Sequence, residues 1–513
     1  MKKIKKFKSE IIVFLITLFF TGFNLFGYPE AWGDEGVYAG QAWWLVHFGK
    51  IAPYTYWYDH FPLGWLQIGI WQLLTGGPFR FGMAVFSSRL FIVLLVSLTN
   101  VFLFKIVKKL TKRKEMGFLA SFLFAASPVA IYYHRQALLD NIATFWLILA
   151  FWFLLKTKGD LWHYFLSGLF LGIGFLSKES TFFFLPGFLF GLLVTTKKAN
   201  RSFCFLLFLT TFFTLISLFP LLALLKKEFF PSGWFSIQPH VSFIETFLNQ
   251  ASRGKNIPFW QNGSDFSIAL PYWLEKDGLL VFLGFWVTFI LLLLAPNHYW
   301  RLPSSLAICY GLFLIRGGVV LPFYFIPLIP FLVINTSLLI DLVFKKLNLS
   351  KLLYKASLAG LVFILALFYW SYWSESFFLD VTINQRQAIK YAKENLPREA
   401  VIVSDFAFWV DLRLAEPNFS NVEWFYKVEL DPTIKQGKLK GEVKNVDYII
   451  LTNEISEELK GGKFPFVETI LKNSNPVFKF ASVKKGNKVY PNSWVDIYKV
   501  EKEKATFAQI MEK

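Results

Sequence analysis

The sequence predicts a multi-spanning α-helical membrane protein, about eleven transmembrane helices followed by an extracytoplasmic α/β domain. Three observations carry this. Apolar runs of about 20 residues, the length that crosses a bilayer as a helix, recur over most of the chain. Of 513 residues, 55% are hydrophobic, 20% aromatic and only 17% charged, too apolar for an ordinary soluble domain. The basic residues behind the formal net charge of +18 gather in short runs between the apolar segments. In a soluble chain that balance points to nucleic acid. Here the positive-inside rule accounts for it, and the expected surroundings are membrane lipids, with no nucleic-acid partner.

The spans follow in order. Helix 1, roughly 10–27, comes after MKKIKKFKSE and leaves Lys2, Lys3, Lys5, Lys6 and Lys8 in the cytoplasm. Its apolar run is longer than a signal-peptide core and shows no clear cleavage site, so it reads as an uncleaved helix. The loop 28–80 carries only Lys50 and Arg80 as basic residues and belongs outside. Helix 2, roughly 84–104, returns to the basic KIVKKLTKRK. Helix 3, roughly 116–133, goes out to YYHRQALLD, and helix 4, roughly 139–155, comes back to Lys156 and Lys158. Helix 5 ends outside near Ser177-Lys178-Glu179, and helix 6 returns to KKANR at 197–201. Helix 7 ends near Lys226, before a long loop to about 277; helix 8 returns to NHYWR. Helices 9 and 10 flank Arg316-Gly317-Gly318 and finish inside at Lys345-Lys346. Helix 11, roughly 353–373, leads outside. Every strongly basic loop then falls on one side, with the N-terminus cytoplasmic.

Beyond about residue 376 the pattern changes, which sets two domains, 1–375 in the membrane and 376–513 outside it. NQRQAIKYAKENLP reads as a surface helix; AVIVSDFAFWVDL and VDYIILTN read as buried strands. Asp405 and Asp411 in this tail could suggest a catalytic pair, but read as ordinary solvated strand-end residues. The two cysteines, Cys204 and Cys309, lie in apolar runs with no metal-ligand spacing, and read as packing residues. Gly172 and Gly174 read as helix-packing positions.

Ionisable residues at membrane depth are costly and mark functional candidates. On the outer face the topology gathers Asp34-Glu35, Asp59-His60, His134-Arg135, Asp140, Lys178-Glu179 and Arg316. Such a set suits a reaction on an anionic, lipid-carried substrate: cations stabilise a leaving phosphate, and a carboxylate takes a proton from the acceptor. Each has a plainer reading. The acid pair reads as a solvated loop, Lys178 and Arg316 as snorkelling span-end cations, and the loop aromatics as an interfacial belt.

The order of the motifs favours function. An outer loop with WGDE after the first span, then YDHFPL, HRQALLDN at 134–141, GLFLGIGFLSKES at 168–180 and RGGVVLPFYFIPLIPFL at 316–332 resemble the C-type glycosyltransferase superfamily that uses lipid-linked sugars. The similarity is to its protein O-mannosyltransferases and aminoarabinose transferases, over roughly residues 1–375. The resemblance implies an inverting glycosyltransferase that moves a sugar from a polyprenyl-phosphate donor to a protein, lipid or glycan acceptor on the outer face of the plasma (inner) membrane. It makes Asp34 the general base and Lys178 and Arg316 the partners of the donor phosphate. Glu35, Asp59, His60, Arg135 and Trp57 are implied substrate contacts, Trp57 by stacking on a sugar ring. The family's commoner K-x-P or H-P-P appears here as His60-Phe61-Pro62. An adjacent acid pair diverges in an extended loop and chelates poorly, so metal-independent transfer with no cofactor is expected. Two other classes remain, a lipid-carrier flippase or transporter and a non-catalytic cell-envelope assembly protein.

Overall fold

The computed structural model describes residues 7–50, 58–157, 160–235, 240–254, 257–486 and 488–502. The chain forms two units. One comprises Met1–Phe23, Tyr56–Gly64 and Ile92–Glu375; the other comprises Asn24–Thr55, Trp65–Phe91 and Ser376–Lys513.

The first unit is helical, and a helix lies under each of the expected spans. Among the described residues six helices are long and apolar enough to cross a membrane, or seven if the bent pair Lys114–Ala126 and Pro128–His134 is one span. The others are shorter, such as Lys8–Gly22 and Leu161–Ser177. The bend of 62° falls at Ser127-Pro128, where proline has no N–H to continue the ladder. A second break follows Asp277, which leaves helical geometry (φ −153°, ψ 76°) before a π-helical turn, Leu279–Leu283. Its carboxylate accepts from the Leu280 N–H at 3.0 Å, from the Tyr369 hydroxyl at 3.2 Å and from Ser127. The freed backbone group is thus satisfied, as an apolar interior requires.

Polar glue and small residues join these helices. Asn335 donates to Thr288 Oγ1 at 2.9 Å and accepts from Ser304 at 3.1 Å. A Cβ on Gly168 would come within 2.6 Å of the Phe208 carbonyl, and one on Gly172 within 2.7 Å of Leu215. Both glycines let neighbouring helices approach closely. Cys204 and Cys309 are both unpaired with each other, one buried and one half-buried.

The second unit is α/β. Its sheet contains β1 (Ile402–Ser404), β2 (Val422–Trp424), β3 (Tyr448–Thr452), β4 (Ser474–Phe480) and β7 (Val495–Val500), in the order β2-β1-β3-β7-β4. A short hairpin, β5 (Lys484–Lys485) and β6 (Lys488–Val489), stands apart. β1 runs parallel to β2 and β3, with Ile402 opposite Val422 and Tyr448; β7 is antiparallel to β3 and β4. Val403, Ile449, Phe425, Ile455, Val467 and Ile470 form its core.

Three expectations change here. AVIVSDFAFWVDL is a strand only as far as Ser404. Asp405 then caps a helix, Phe406–Leu414, by accepting from the Phe408 N–H at 3.0 Å. Asp405 and Asp411 are both buried rather than solvated at strand ends. The first loop, read from sequence as part of the membrane domain, packs with the C-terminal residues. Its helix Gly33–Phe48 lies on Phe406–Leu414 so closely that a Cβ on Gly36 would meet the Ala407 backbone at 2.6 Å. The Gln385 amide brackets the Ala31 backbone, donating at 2.9 Å and accepting at 3.0 Å. The Val381 N–H bonds the Gly27 carbonyl at 2.8 Å.

Candidate active site

In the second unit, WGDE opens a helix. Trp32 is extended (φ −104°, ψ 151°) and its N–H donates to Glu35 Oε2 at 3.1 Å, half of a capping box. Asp34 is the second helical residue and is half-buried. Glu35, expected to touch a sugar or orient Asp34, is instead fully buried in an ion pair. Arg89 Nε and Nη2 bond its two oxygens at 2.8 and 2.6 Å. The other Arg89 donors reach the carbonyls of Leu25 (3.2 Å), Pro29 (2.8 Å) and Glu30 (2.9 Å). A desolvated guanidinium is thereby satisfied on every side, and it ties the loop into shape. Arg89 was legible as an arginine inside the apolar run SSRLFIVLL, the usual mark of a functional or architectural charge.

The surroundings of Asp34 come from the C-terminal residues. Glu454, at the start of Asn453–Lys460 after β3, accepts from the Gly33 N–H at 3.0 Å. A Cβ on Gly33 would sit 2.4 Å from the Glu454 carboxylate, so a side chain there would displace it from this position. Burial, with Asp405 and Asp34 as acidic neighbours, pushes the Glu454 carboxyl well above the usual range. Burial also raises Asp405, against the opposing bonds from Phe408 N–H and from Thr452 Oγ1 at 2.9 Å. A narrow cleft beside them is lined by Trp32, Gln385, Asp405, Asn453, Glu454 and Trp494. Nothing local in NEISEELK marks Glu454 out, and sequence reasoning missed it.

In the first unit a cluster of charged groups around Lys178 forms where Leu161–Ser177 ends. Lys178 is extended (φ −157°) and almost wholly buried, and Glu179 starts a 3₁₀ turn, Glu179–Phe184. The Lys178 ammonium lies 3.2 Å from His60 Nε2 and 5.7 Å from the centre of the Tyr324 ring. His60 Nδ1 is 3.0 Å from both Glu179 oxygens. An ammonium has only donors, so His60 Nε2 accepts from Lys178 and Nδ1–H donates to Glu179. Asp140, second in the helix Leu139–Lys156, is fully buried beside them and acts electrostatically on Lys178, Glu179 and His60. Neither of its carboxylate oxygens has a hydrogen-bond partner among the described residues.

The remaining candidates sit differently. Asp59 accepts from Gln250 Nε2 at 2.7 Å, and burial raises its carboxyl against the opposing pull of His60. Arg135, expected to shape a substrate site, is fully buried and donates to the Phe20 carbonyl at 2.8 Å. His134 bonds Asn141 Oδ1 at 2.7 Å, and Asn141 Nδ2 donates to the Tyr133 and Gln136 carbonyls at 3.0 Å each. HRQALLDN therefore builds the turn between two helices and presents Asp140. Arg316 is exposed. It lies 3.9 Å from the Phe313 ring, bonds the carbonyls of Phe313 (2.7 Å) and Val319 (3.3 Å), and acts electrostatically on Tyr310 and Tyr324. Trp57 lies outside the described residues.

Residues 73–222 match the family model for dolichyl-phosphate-mannose-protein mannosyltransferases. In fold the chain is similar to ArnT of Cupriavidus metallidurans in the apo state, at 12% identity and TM-score 0.61, covering 96% of this chain and 98% of that one. The same enzyme bound to undecaprenyl phosphate gives 12% identity and TM-score 0.56, covering 96% of each chain. The oligosaccharyltransferase AglB of Archaeoglobus fulgidus, in complex with an inhibitory peptide and a dolichol-phosphate, gives 14% identity and TM-score 0.58, covering 94% of this chain and 73% of that one. No curated protein sequence matches the chain. The matched segment and the shared fold agree with the order of the motifs: over residues 73–222 in sequence, and over most of its length in fold, the chain is similar to these proteins.

Proposed function

We propose that the chain is an inverting glycosyltransferase that takes a sugar from a polyprenyl-phosphate donor and passes it to an acceptor on the outer face of the plasma membrane. The N-terminus is then cytoplasmic and the C-terminal residues extracytoplasmic. The observation that carries the reading is the buried Lys178 ammonium beside His60 and Tyr324, a desolvated cation at a helix boundary that can pair with a phosphate.

Asp34 takes the proton from the acceptor hydroxyl or amine. The acceptor atom attacks the anomeric carbon from the face opposite the phosphate, and the bond from that carbon to the phosphate oxygen breaks. The configuration inverts, and polyprenyl phosphate leaves as a monoester that needs no proton. Lys178, with His60 behind it, receives the charge that develops on the phosphate. Arg316 adds a longer-range positive field, and Asp59 contributes a hydrogen-bond acceptor toward the substrate. The transfer runs without a metal ion or cofactor. The acceptor is a protein, lipid or glycan.

The test is release of polyprenyl phosphate by purified protein in detergent. A panel of polyprenyl-phosphate sugars is offered with protein, lipid and glycan acceptors, with and without a chelator. The expected result is chelator-resistant release that falls by ~10²–10⁴-fold in Asp34→Asn while donor binding persists. A labelled carrier lipid that crosses leaflets with no release would favour the flippase reading instead.

A further inference from the structure

We propose that Glu454, a residue of the C-terminal segment, is the positioning residue of Asp34: it holds the amide that precedes Asp34 and sets a second carboxyl group beside it. The inference rests on Asp34 being the base. It gives the C-terminal residues a part in the chemistry.

The geometry is specific. Asn453–Lys460 begins directly after β3, so the rigid centre of the sheet delivers Glu454. Its Oε2 accepts from the Gly33 N–H at 3.0 Å, at the first turn of the helix on which Asp34 is the next residue. Gly33 lets the carboxylate come this close, since a Cβ there would lie 2.4 Å from it and displace the Glu454 side chain. The same face of the helix, one and two turns on, packs on Phe406–Leu414 through Gly36 and Gly40. The helix that carries Asp34 is therefore held along one face by Glu454 and by Phe406–Leu414, elements of one unit.

The groups that face Glu454 are almost all acidic or neutral. Asp34 approaches from its own helix, Asp405 from the end of β1, and Glu458 from one turn further along. Tyr426 faces Glu454, Glu458 and Asp34 from Phe425–Leu430, and Glu30 lines the adjoining cleft. The Gly33 amide is the favourable partner. Burial and these acidic neighbours, Asp405 first, favour the protonated form of Glu454, so a neutral carboxyl accepts from the Gly33 amide. That bond fixes the helix turn on which Asp34 stands.

Glu454→Ala removes the acceptor of the Gly33 amide, and Glu454→Gln keeps an oxygen for it. Both are measured as full-length purified protein with polyprenyl-phosphate mannose as the donor probe. Glu454→Ala should lower kcat by at least ~10-fold with KM for the donor little changed, and Glu454→Gln should return kcat toward wild type. In an Asp34→Asn background Glu454→Ala should cost little more. Glu454→Asp, which shortens the arm, carries the comparison if the Ala variant does not fold. Turnover unchanged in Glu454→Ala, or a loss that Gln does not restore, overturns the proposal and leaves the transferase reading intact. Turnover indifferent to Asp34→Asn overturns the base assignment and the proposal with it.

Discussion

Neighbouring acids in this chain have opposite uses, and burial with its partners separates them. Glu35 has both oxygens taken by Arg89 and serves architecture, while the adjacent Asp34 stays half-buried and acts electrostatically on Glu454 and Tyr426. Sequence alone could not divide the pair, because Arg89 lies 54 positions from Glu35. Lys178 was legible as a cation at the end of an apolar run, but its bond to His60 was not. Lys178→Met should weaken binding of a fluorescent polyprenyl phosphate by at least ~30-fold, since a desolvated charge partner is removed; an unchanged Kd would take Lys178 out of the phosphate site. Asp411 makes a prediction of its own. It is buried, accepts from the Ala84 N–H at 3.3 Å, and burial pushes its carboxyl up to about 7. The folded state then holds this proton more tightly than the unfolded state does. Its contribution to stability is complete below the ordinary aspartate range and fades as pH rises to about 7. Asp411→Asn should flatten that slope and raise stability at pH 8 by roughly 1–3 kcal/mol, read from chemical unfolding at several pH values.

At the level of elements, helix breaks and close approaches decide where side chains stand. The bend at Ser127-Pro128 and the π turn after Asp277 were absent from the sequence reading, which saw only uninterrupted apolar runs. Hydropathy averages over a turn and is blind to the bond that rescues a broken ladder. The helix Phe406–Leu414 was read as strand because FAFWVDL is apolar and aromatic; the Asp405 cap outweighed that preference. Gly36 tests the helix contact directly. Gly36→Ala places a methyl group 2.6 Å from the Ala407 backbone, which cannot move as a side-chain tip can. The variant should lose about 1–3 kcal/mol, seen as a lower unfolding temperature. Gly360→Ala, where nothing lies within 4 Å, should be neutral or slightly stabilising in the same assay.

For the whole molecule the open quantities are side and crossing number. Among the described residues six or seven helices have the length and composition to cross alone, against about eleven expected from charge and hydropathy. The shorter helices, such as Leu161–Ser177 and Glu179–Thr195, are where the two counts differ. With Cys204 and Cys309 replaced by Ala, Lys440→Cys should react with a membrane-impermeant maleimide in intact cells and Lys109→Cys should not. The reverse pattern would invert the proposed orientation and put Asp34 on the wrong side for the reaction.

Composition, the spacing of apolar runs and the order of short motifs determined the class of this protein: helical in the membrane, α/β at its end, and similar to lipid-linked-sugar transferases. Those properties are local or additive along the chain, so they survive without coordinates. Tertiary structure alone decided which charges are spent and which are available. It bound Glu35 to Arg89, buried Arg135 on a carbonyl, joined Lys178 to His60, and brought Glu454 to the residue before Asp34 across 421 positions. An ionisable group's role depends on what replaces its water, and that partner is chosen by the fold.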